Sequence, residues 1–439
     1  MNQKHKVIHP FTFMPGYNLD SEDFNKTYAN LVRGTGSWVV DNNEKEYLYL
    51  TTAVPTVGLG NQYVIEAIEK QMTTLSFGST CAQTHPLVNR LAAKLTDKLG
   101  NEYSSVFFSN DGSGAVETAM KLAREYFIAK GTPKRTKFIS LEGNYHGTTF
   151  GSGSVTQMGI KESFGPGLEG CLTAPAPNLY RPPIQGSEEE IIEHCVRSLE
   201  NLIIQNDPET ISALLLEPVQ GVFGVVPLPK RYIQKVRAIT KKYGILLIMD
   251  EVTTGIGRTG FWLASHELGI TPDFVAISKG LTGGYFPMGA TLIIEEVASV
   301  LYGKGGIFLH GSTQSGHPIG CAAALAVLDI IESSDLIGNS KVLGQYIIEE
   351  LNKAISLHPF VGDIRGKGLM MAIEFVQDKE TKESIDYQKG ERLSRFLHEE
   401  GILGNFFNGT LLLYPPLNLS YKEANYLING VVNAIKKLD

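Results

Sequence analysis

Short apolar runs alternating with amphipathic helical patterns are what most constrain the fold of this chain. Ser105–Ser109, Ser212–Leu216 and Ile245–Met249 are largely apolar, only five residues long, and bounded by turn-forming or charged residues. Such runs predict strands buried on both faces, because a half-exposed strand would alternate polar and apolar positions. Between them, Ala115-Val116, Ala119-Met120, Leu122-Ala123 and Tyr126-Phe127 recur at three-to-four spacing, and Arg231 to Lys242 repeats the pattern. Strands that need cover on both faces, separated by helices that each offer one apolar face, predict an α/β fold. Its central sheet is mostly parallel, with helices on both sides.

Composition narrows the class. Apolar residues make up 43% of the 439 and charged residues 19%, with 46 glycines, which describes an ordered globular chain rich in turns. The formal charge is −7, and no Lys/Arg block is long enough for a nucleic-acid footprint. Lys436-Lys437 and Lys241-Lys242 read as solvated helix ends. The four cysteines, Cys81, Cys171, Cys195 and Cys321, are far apart and have no histidine at metal-ligand spacing, so reduced thiols and no metal are expected. The start of the chain is basic without the apolar stretch of a signal peptide, and no apolar run approaches the roughly 20 residues of a membrane span. A cytoplasmic enzyme with no membrane contact is the expectation.

Along the chain, residues 1–65 read as an N-terminal segment that packs with a smaller domain, 66–325 as the large domain, and 326–439 as a C-terminal α+β domain. Gly362 to Phe375 predicts a hairpin, 387–400 an amphipathic helix, and Tyr421 to Leu438 a terminal helix after a further strand. Pro175 to Pro183 is too rich in proline for a strand or helix and reads as an ordered surface crossing.

Residues with chemical potential fall at the carboxyl ends of the predicted strands, where open α/β sheets gather ligands. Gly244-Ile-Leu-Leu-Ile-Met-Asp-Glu-Val252 ends an apolar run in Asp250, and Lys279 follows 29 positions later between Ser278 and Gly280. A lysine able to hold an aldehyde as a Schiff base, paired with a carboxylate able to keep a pyridine nitrogen protonated, suggests a pyridoxal phosphate site. Val252, two positions after Asp250, would point to the same side of an extended chain and offer an apolar face to the ring. Phe107 to Val116 runs from a strand through a turn into a helix. Gly112 and Ser113 stand where free N–H groups and a hydroxyl would cup a phosphate, although a capped glycine turn has the same appearance. Glu217 ends the preceding strand and points to the cleft or forms a structural ion pair. Tyr145 and His146, in Gly143-Asn-Tyr-His-Gly147, are candidates for stacking on a flat ring. A histidine in such a loop equally serves to bond backbone carbonyls. Thr313, in a loop dense in hydroxyls and glycines before an Ala-rich helix, is a further phosphate candidate, and a plain loop before a buried helix explains it as well.

In this order the motifs resemble the class III, fold-type I aminotransferases that use pyridoxal 5′-phosphate, over nearly the whole chain. The most specific piece is Asp250-Glu-Val-Thr-Thr-Gly-Ile-Gly-Arg-Thr-Gly260, followed by Pro272-Asp-Phe and by Ser278 to Ala290. The resemblance implies Lys279 as Schiff-base lysine and proton shuttle, with Asp250 as partner of the ring nitrogen. Val252 and Tyr145 become the two covers of the ring, Gly112 and Ser113 the phosphate site, and Glu217 a neighbour of the cofactor's hydroxyl. It also implies that Thr313 reaches the phosphate of a neighbouring subunit, hence a homodimer with shared active sites, with tetramers left open. Arg258 is expected to be structural.

Departures from the family pattern bear on substrate. Relatives acting on ornithine or 4-aminobutyrate carry Gln at the position of Thr253 and a carboxylate-gripping arginine at that of Leu412. The diaminopelargonate and ω-amine branches place an arginine near Asn405. No arginine follows Arg395 here. The reading is therefore an ω-amine-like transaminase, working by ping-pong between an amine or amino-acid donor and a carbonyl acceptor, in an apolar pocket. Phe11, Phe13, Val54, Phe406 and Phe407 are its expected lining. The alternative is a sister enzyme that is not a net transaminase, such as a racemase, an aminomutase or a dialkylglycine-type decarboxylase.

Overall fold

A computed structural model of the protein describes residues 29–438. Its centre is a seven-stranded sheet, numbered here along the chain: β1 (Tyr103–Ser109), β2 (Lys137–Leu141), β3 (Cys171–Ala174), β4 (Ile211–Leu216), β5 (Leu246–Asp250), β6 (Phe274–Ile277) and β7 (Gly289–Ile294). The spatial order is β1-β7-β6-β5-β4-β2-β3. β7 alone runs against its neighbours β6 and β1, while β5 pairs in parallel with both β4 and β6. Every residue of β4 and β5 is buried, as expected for strands covered on both faces. The predicted helices are present as Gly112–Ala129 and Lys230–Tyr243. Gly244 ends the second in the left-handed conformation, at φ 63°, which lets the chain reverse into β5.

The order of the strands aligns their carboxyl ends. Asp111 follows β1, the Gly143–Gly147 loop follows β2, Glu217 follows β4, Asp250 closes β5 and Lys279 follows β6. Residues far apart in sequence are thereby delivered to one edge of the sheet.

After the large sheet comes an antiparallel sheet of Val361–Lys367, Met370–Phe375, Thr410–Leu413 and Asn405–Phe407, in that spatial order. The expected hairpin is its first pair, joined in register from Lys367↔Met370 to Asp363↔Glu374. Helices Leu336–Ile355, Tyr387–Glu399 and Tyr421–Lys436 accompany it. The early strands Leu31–Thr35, Trp38–Asp41 and Glu46–Tyr49 form a meander whose last member pairs in parallel with Ile402–Leu403. Helices Gln62–Thr74 and Pro318–Ser333 run without a break through positions 65/66 and 325/326. The chain thus passes between its regions along helices, not loops.

Candidate active site

Lys279 opens a short 3-10 turn, Lys279–Leu281, with φ 21°, outside the regions an L-residue favours. Strain of this kind persists only where the surroundings over-determine it. Here Leu281 N donates to Ser278 O at 2.6 Å, Ser278 Oγ to Met288 O at 2.7 Å, and Thr56 Oγ1 to Gly280 O at 3.2 Å. The Lys279 amine donates to Thr253 Oγ1 at 2.5 Å. Burial lowers its pKa below the ordinary lysine value, and Arg258 works in the same direction, while Glu217 and Asp250 oppose both.

Asp250 is 4% exposed and held from two sides. One oxygen accepts from Val252 N at 3.0 Å and the other meets His146 Nδ1 at 2.8 Å. The loop before His146 settles the role of that ring. Gln220 Nε2 donates to Asn144 Oδ1 at 2.6 Å, so the Asn144 amide group faces His146 Nε2 at 3.2 Å. Nε2 therefore accepts and Nδ1 donates to Asp250. His146 N is also bonded to Thr156 Oγ1. The chain Gln220, Asn144, His146, Asp250 orients a carboxylate. His146 contacts a side chain, where the loop alone suggested backbone carbonyls or a ring.

Glu217 is likewise buried, accepting from Tyr145 N at 2.8 Å and Gly221 N at 3.0 Å. It is no ion pair. Burial, and then the nearby Asp250, push its pKa up to about 7, so the protonated form is within reach at neutral pH. Tyr145, half-buried beside these two acids, has its phenol pKa raised, chiefly by burial. The neighbouring acid Glu251 points elsewhere. Its oxygens accept from Ala264 N, Ser265 N and Thr254 Oγ1, which anchors the helix Ala264–Leu268.

Val252 reaches the cleft by a different route from the one its spacing suggested. The chain turns after Asp250, whose own carboxylate takes the Val252 N–H, so the segment is not extended. Val252 nevertheless lies against the start of the helix Gly112–Ala129: a Cβ on Gly112 would sit 2.7 Å from Val252 Cγ1. Asp111 caps that helix, accepting from Gly114 N at 2.6 Å. Among the described residues the N–H groups of Gly112 and Ser113 meet no acceptor. Ser113 Oγ accepts from Thr148 N at 3.3 Å. The helix start is thus an anion cup with its donors free.

Thr313 is exposed, in a loop whose Ser312 Oγ accepts from Asn110 Nδ2 at 2.7 Å, just before the helix start at Gly112. Phe11 and Phe13 lie outside the described residues. Val54 packs beside the turn after Lys279, 2.9 Å from where a Gly284 Cβ would be. Two expected lining residues do not line it. Phe406 packs inside the C-terminal region on Phe375 and Gly390, and Phe407 borders a separate cavity of about 430 Å³ with Arg181, Gln220, Phe223 and Glu374. Sequence reasoning put both in the pocket because aromatic residues near a cleft motif look alike whichever face of the strand they occupy.

Leu412 is buried in a small apolar cluster with Ala53, Val219, Val225, Met370, Ala372 and Tyr414. The cluster touches the site at Gly221. A Cβ there would lie 3.3 Å from Met370 Cε, 3.5 Å from Glu217 Oε2 and 3.7 Å from Thr253 Cγ2, and Tyr414 donates to Gly221 O at 3.0 Å. Arg258 is buried as well, with no carboxylate partner among the described residues. Its guanidinium donates to Leu369 O at 3.0 Å, to Pro415 O and to Pro55 O at 3.5 Å, and burial lowers its pKa to about 10.

The sequence profile of the family described as aminotransferase class-III matches residues 21–435. This chain is a class III aminotransferase. Among solved structures, an amine transaminase from an uncultivated Pseudomonas species, in its PLP-bound form, superimposes with a TM-score of 0.95 at 36% identity, covering 100% of both chains. Among characterised sequences, an adenosylmethionine-8-amino-7-oxononanoate aminotransferase of Geobacter sulfurreducens is 34% identical over 98% of this chain and 95% of its own. A diaminobutyrate–2-oxoglutarate transaminase of Halomonas elongata is 34% identical over 92% and 89%. The likeness covers 92–100% of this chain and spans relatives with different named substrates. The fold is therefore that of the fold-type I aminotransferases. Choice of substrate has to be argued from this chain's own pocket.

Proposed function

We propose that this class III aminotransferase is an ω-amine transaminase, taking the amino group from amines that carry no carboxylate on the reacting carbon and passing it to a carbonyl acceptor. The observation that carries this reading is the apolar cluster around Leu412, which borders Gly221 through Met370 and Tyr414 where Glu217 and Thr253 also converge. A carboxylate set against that wall would lose its hydration and gain no bidentate partner.

The cofactor is pyridoxal 5′-phosphate, which when bound supplies an aldehyde that exchanges the amino group and a ring that accepts the electron pair left on the substrate carbon. The residues fit it. In this reading Gly112 and Ser113 hold the phosphate with their free N–H groups and the Ser113 hydroxyl. Val252 and Tyr145 cover the two ring faces. Asp250, aimed by His146, is the anion for the ring nitrogen, and Lys279 holds the aldehyde carbon at rest. Glu217 keeps its carboxyl near the cofactor's hydroxyl side without adding a full second negative charge beside Asp250. Lys279, when its amine is free, would be the group that takes the proton from the substrate carbon at Nζ and returns it. Burial favours the neutral amine this requires. Donor and acceptor use the site in turn. The active enzyme in this proposal is a homodimer. Ile307 and Leu309, 82% and 88% exposed just before Thr313, offer the apolar surface a second copy would cover.

The test is the absorbance of the pyridoxal-loaded protein as single donors are added. Conversion to the pyridoxamine form by carboxylate-free amines supports the proposal. Conversion only by α-amino acids would overturn the reading of the Leu412 wall, and no conversion by any donor would favour a racemase, aminomutase or decarboxylase.

A further inference from the structure

The Lys279 amine has a defined partner, and it is a residue to which no part in the chemistry has been given. Thr253 stands three positions after Asp250, in the turn that follows β5. Its Oγ1 accepts from Lys279 Nζ at 2.5 Å, and among the described residues its own hydroxyl proton goes to no acceptor. Its methyl group faces the Gly221 position, 3.7 Å from where a Cβ would be, in the same corner as Met370. The side chain is thus fixed with its hydroxyl toward the lysine and its methyl toward the apolar cluster.

A proton shuttle needs direction as well as basicity. A neutral amine has one lone pair and two hydrogens, and rotation about the last bond of a lysine sweeps the lone pair around freely. An acceptor bonded to one of those hydrogens removes that freedom. We propose that Thr253 is the positioning residue for the released Lys279 amine, its hydroxyl oxygen holding one N–H so that the Nζ lone pair faces the substrate carbon. The C–H bond would break as an N–H bond forms on the Nζ lone pair, its electron pair staying with the substrate carbon and the ring of the bound cofactor, and Nζ would then return one proton to the cofactor carbon that carries the amino group, so the amine is neutral before and after. The charged groups that face Lys279 are Glu217 from the end of β4, Asp250 from the end of β5 and Arg258 from the turn beyond it. Among the hydrogen bonds of the described residues, only the one to Thr253 reaches Nζ.

This inference rests on the aminotransferase reading, and the experiment separates the two. Thr253→Val keeps the shape and the methyl group but loses the acceptor, while Thr253→Ser keeps the acceptor and loses the methyl group. With the pyridoxal-loaded protein and benzylamine, protiated or deuterated at the carbon bearing nitrogen, Thr253→Val should slow the proton-transfer step about tenfold, the scale of one lost hydrogen bond. It should raise the isotope effect and leave half-saturation by amine unchanged. Thr253→Ser should stay within about twofold of wild type on the same scale. In the cofactor-free protein, the pH dependence of Lys279 acylation by acetic anhydride, read by peptide mass spectrometry, gives a second measure that needs no turnover. Its midpoint should fall in Thr253→Val, because the ammonium form loses an acceptor, and hold in Thr253→Ser. A wild-type rate and midpoint in Thr253→Val, or a Thr253→Ser variant as impaired as Thr253→Val, would overturn the proposal. A shifted midpoint in protein that accepts no amine would support the contact and overturn only the ω-amine reading.

Discussion

The cleft has two sides built by opposite rules. Along the carboxyl edge of the large sheet, the polar side chains are held by groups from other strand ends or from their own loop. Gln220 holds Asn144, Asn144 holds His146, His146 holds Asp250, and Tyr145 N holds Glu217. Where the C-terminal sheet and the segment around Ala53 close on the site, the contacts are apolar, and Tyr414 makes the single side-chain hydrogen bond of that cluster, to a backbone oxygen. A polar network specifies angles, whereas apolar packing specifies volume. In the proposed function the first side sets what chemistry is done and the second which molecules are admitted. Either can change while the other stays.

That division can be broken by experiment. The largest effect is expected at Asp250→Asn, which preserves the shape and can still accept from His146. Removing the charge should slow the amine half-reaction roughly 10²–10³-fold, as for other fixed electrostatic groups in active sites. Cofactor affinity and apolar amine binding should remain near wild type, and single-turnover spectroscopy reads all three. A normal rate would remove Asp250 from the chemistry.

Next in size is the pH dependence of stability set by Glu217. Its pKa is raised from 4.5 to about 7, by burial first and Asp250 second, so the fold favours the protonated form. The stability it lends is complete below its unfolded value and is lost as pH rises through about 7. Glu217→Gln stays neutral throughout. In cofactor-free protein its advantage over wild type should therefore grow with pH, reaching on the order of 3 kcal/mol above the titration. Urea unfolding of both proteins across the range tests this, and parallel stability curves would mean that Glu217 ionises as freely in the fold as out of it.

The smallest effect belongs to the apolar side. Leu412→Ala should cost about 2 kcal/mol of unfolding free energy, from lost burial plus the cavity left behind. It should raise KM for bulky apolar amines with the cofactor spectrum unaltered. A change in that spectrum would show that the two sides are not separable.

The same contrast explains what could be read from the chain beforehand. Strands β1, β4 and β5 and the helices that follow β1 and β4 announce themselves by local periodicity, and Asp250, Glu217, Tyr145 and Gly112 are legible because strand ends and glycine turns are local features. The partners of those residues are not. Asn144 stands in the Gly143–Gly147 loop and Gln220 three residues after Glu217, but nothing in either stretch says that they meet. Val252 arrives at Gly112 by a turn that hydrogen-bonds to Asp250, which alternation cannot foresee. Phe406 and Phe407 went astray for a related reason. Their strand is three residues long, too short for its pattern to reveal which face is inward. The apolar side is assembled from Ala53, Val219, Met370 and Leu412, positions spread over most of the chain, and only the fold brings them together.

Arg258 gives the scaffold a kind of indifference to spelling. Its guanidinium ties three distant stretches of chain by grasping main-chain oxygens at residues 55, 369 and 415. Every amino acid supplies that oxygen. The knot thus registers the path of the backbone and ignores which side chains it carries, so residues beside the pocket can be exchanged during divergence, or by an engineer, without untying the parts that frame Lys279.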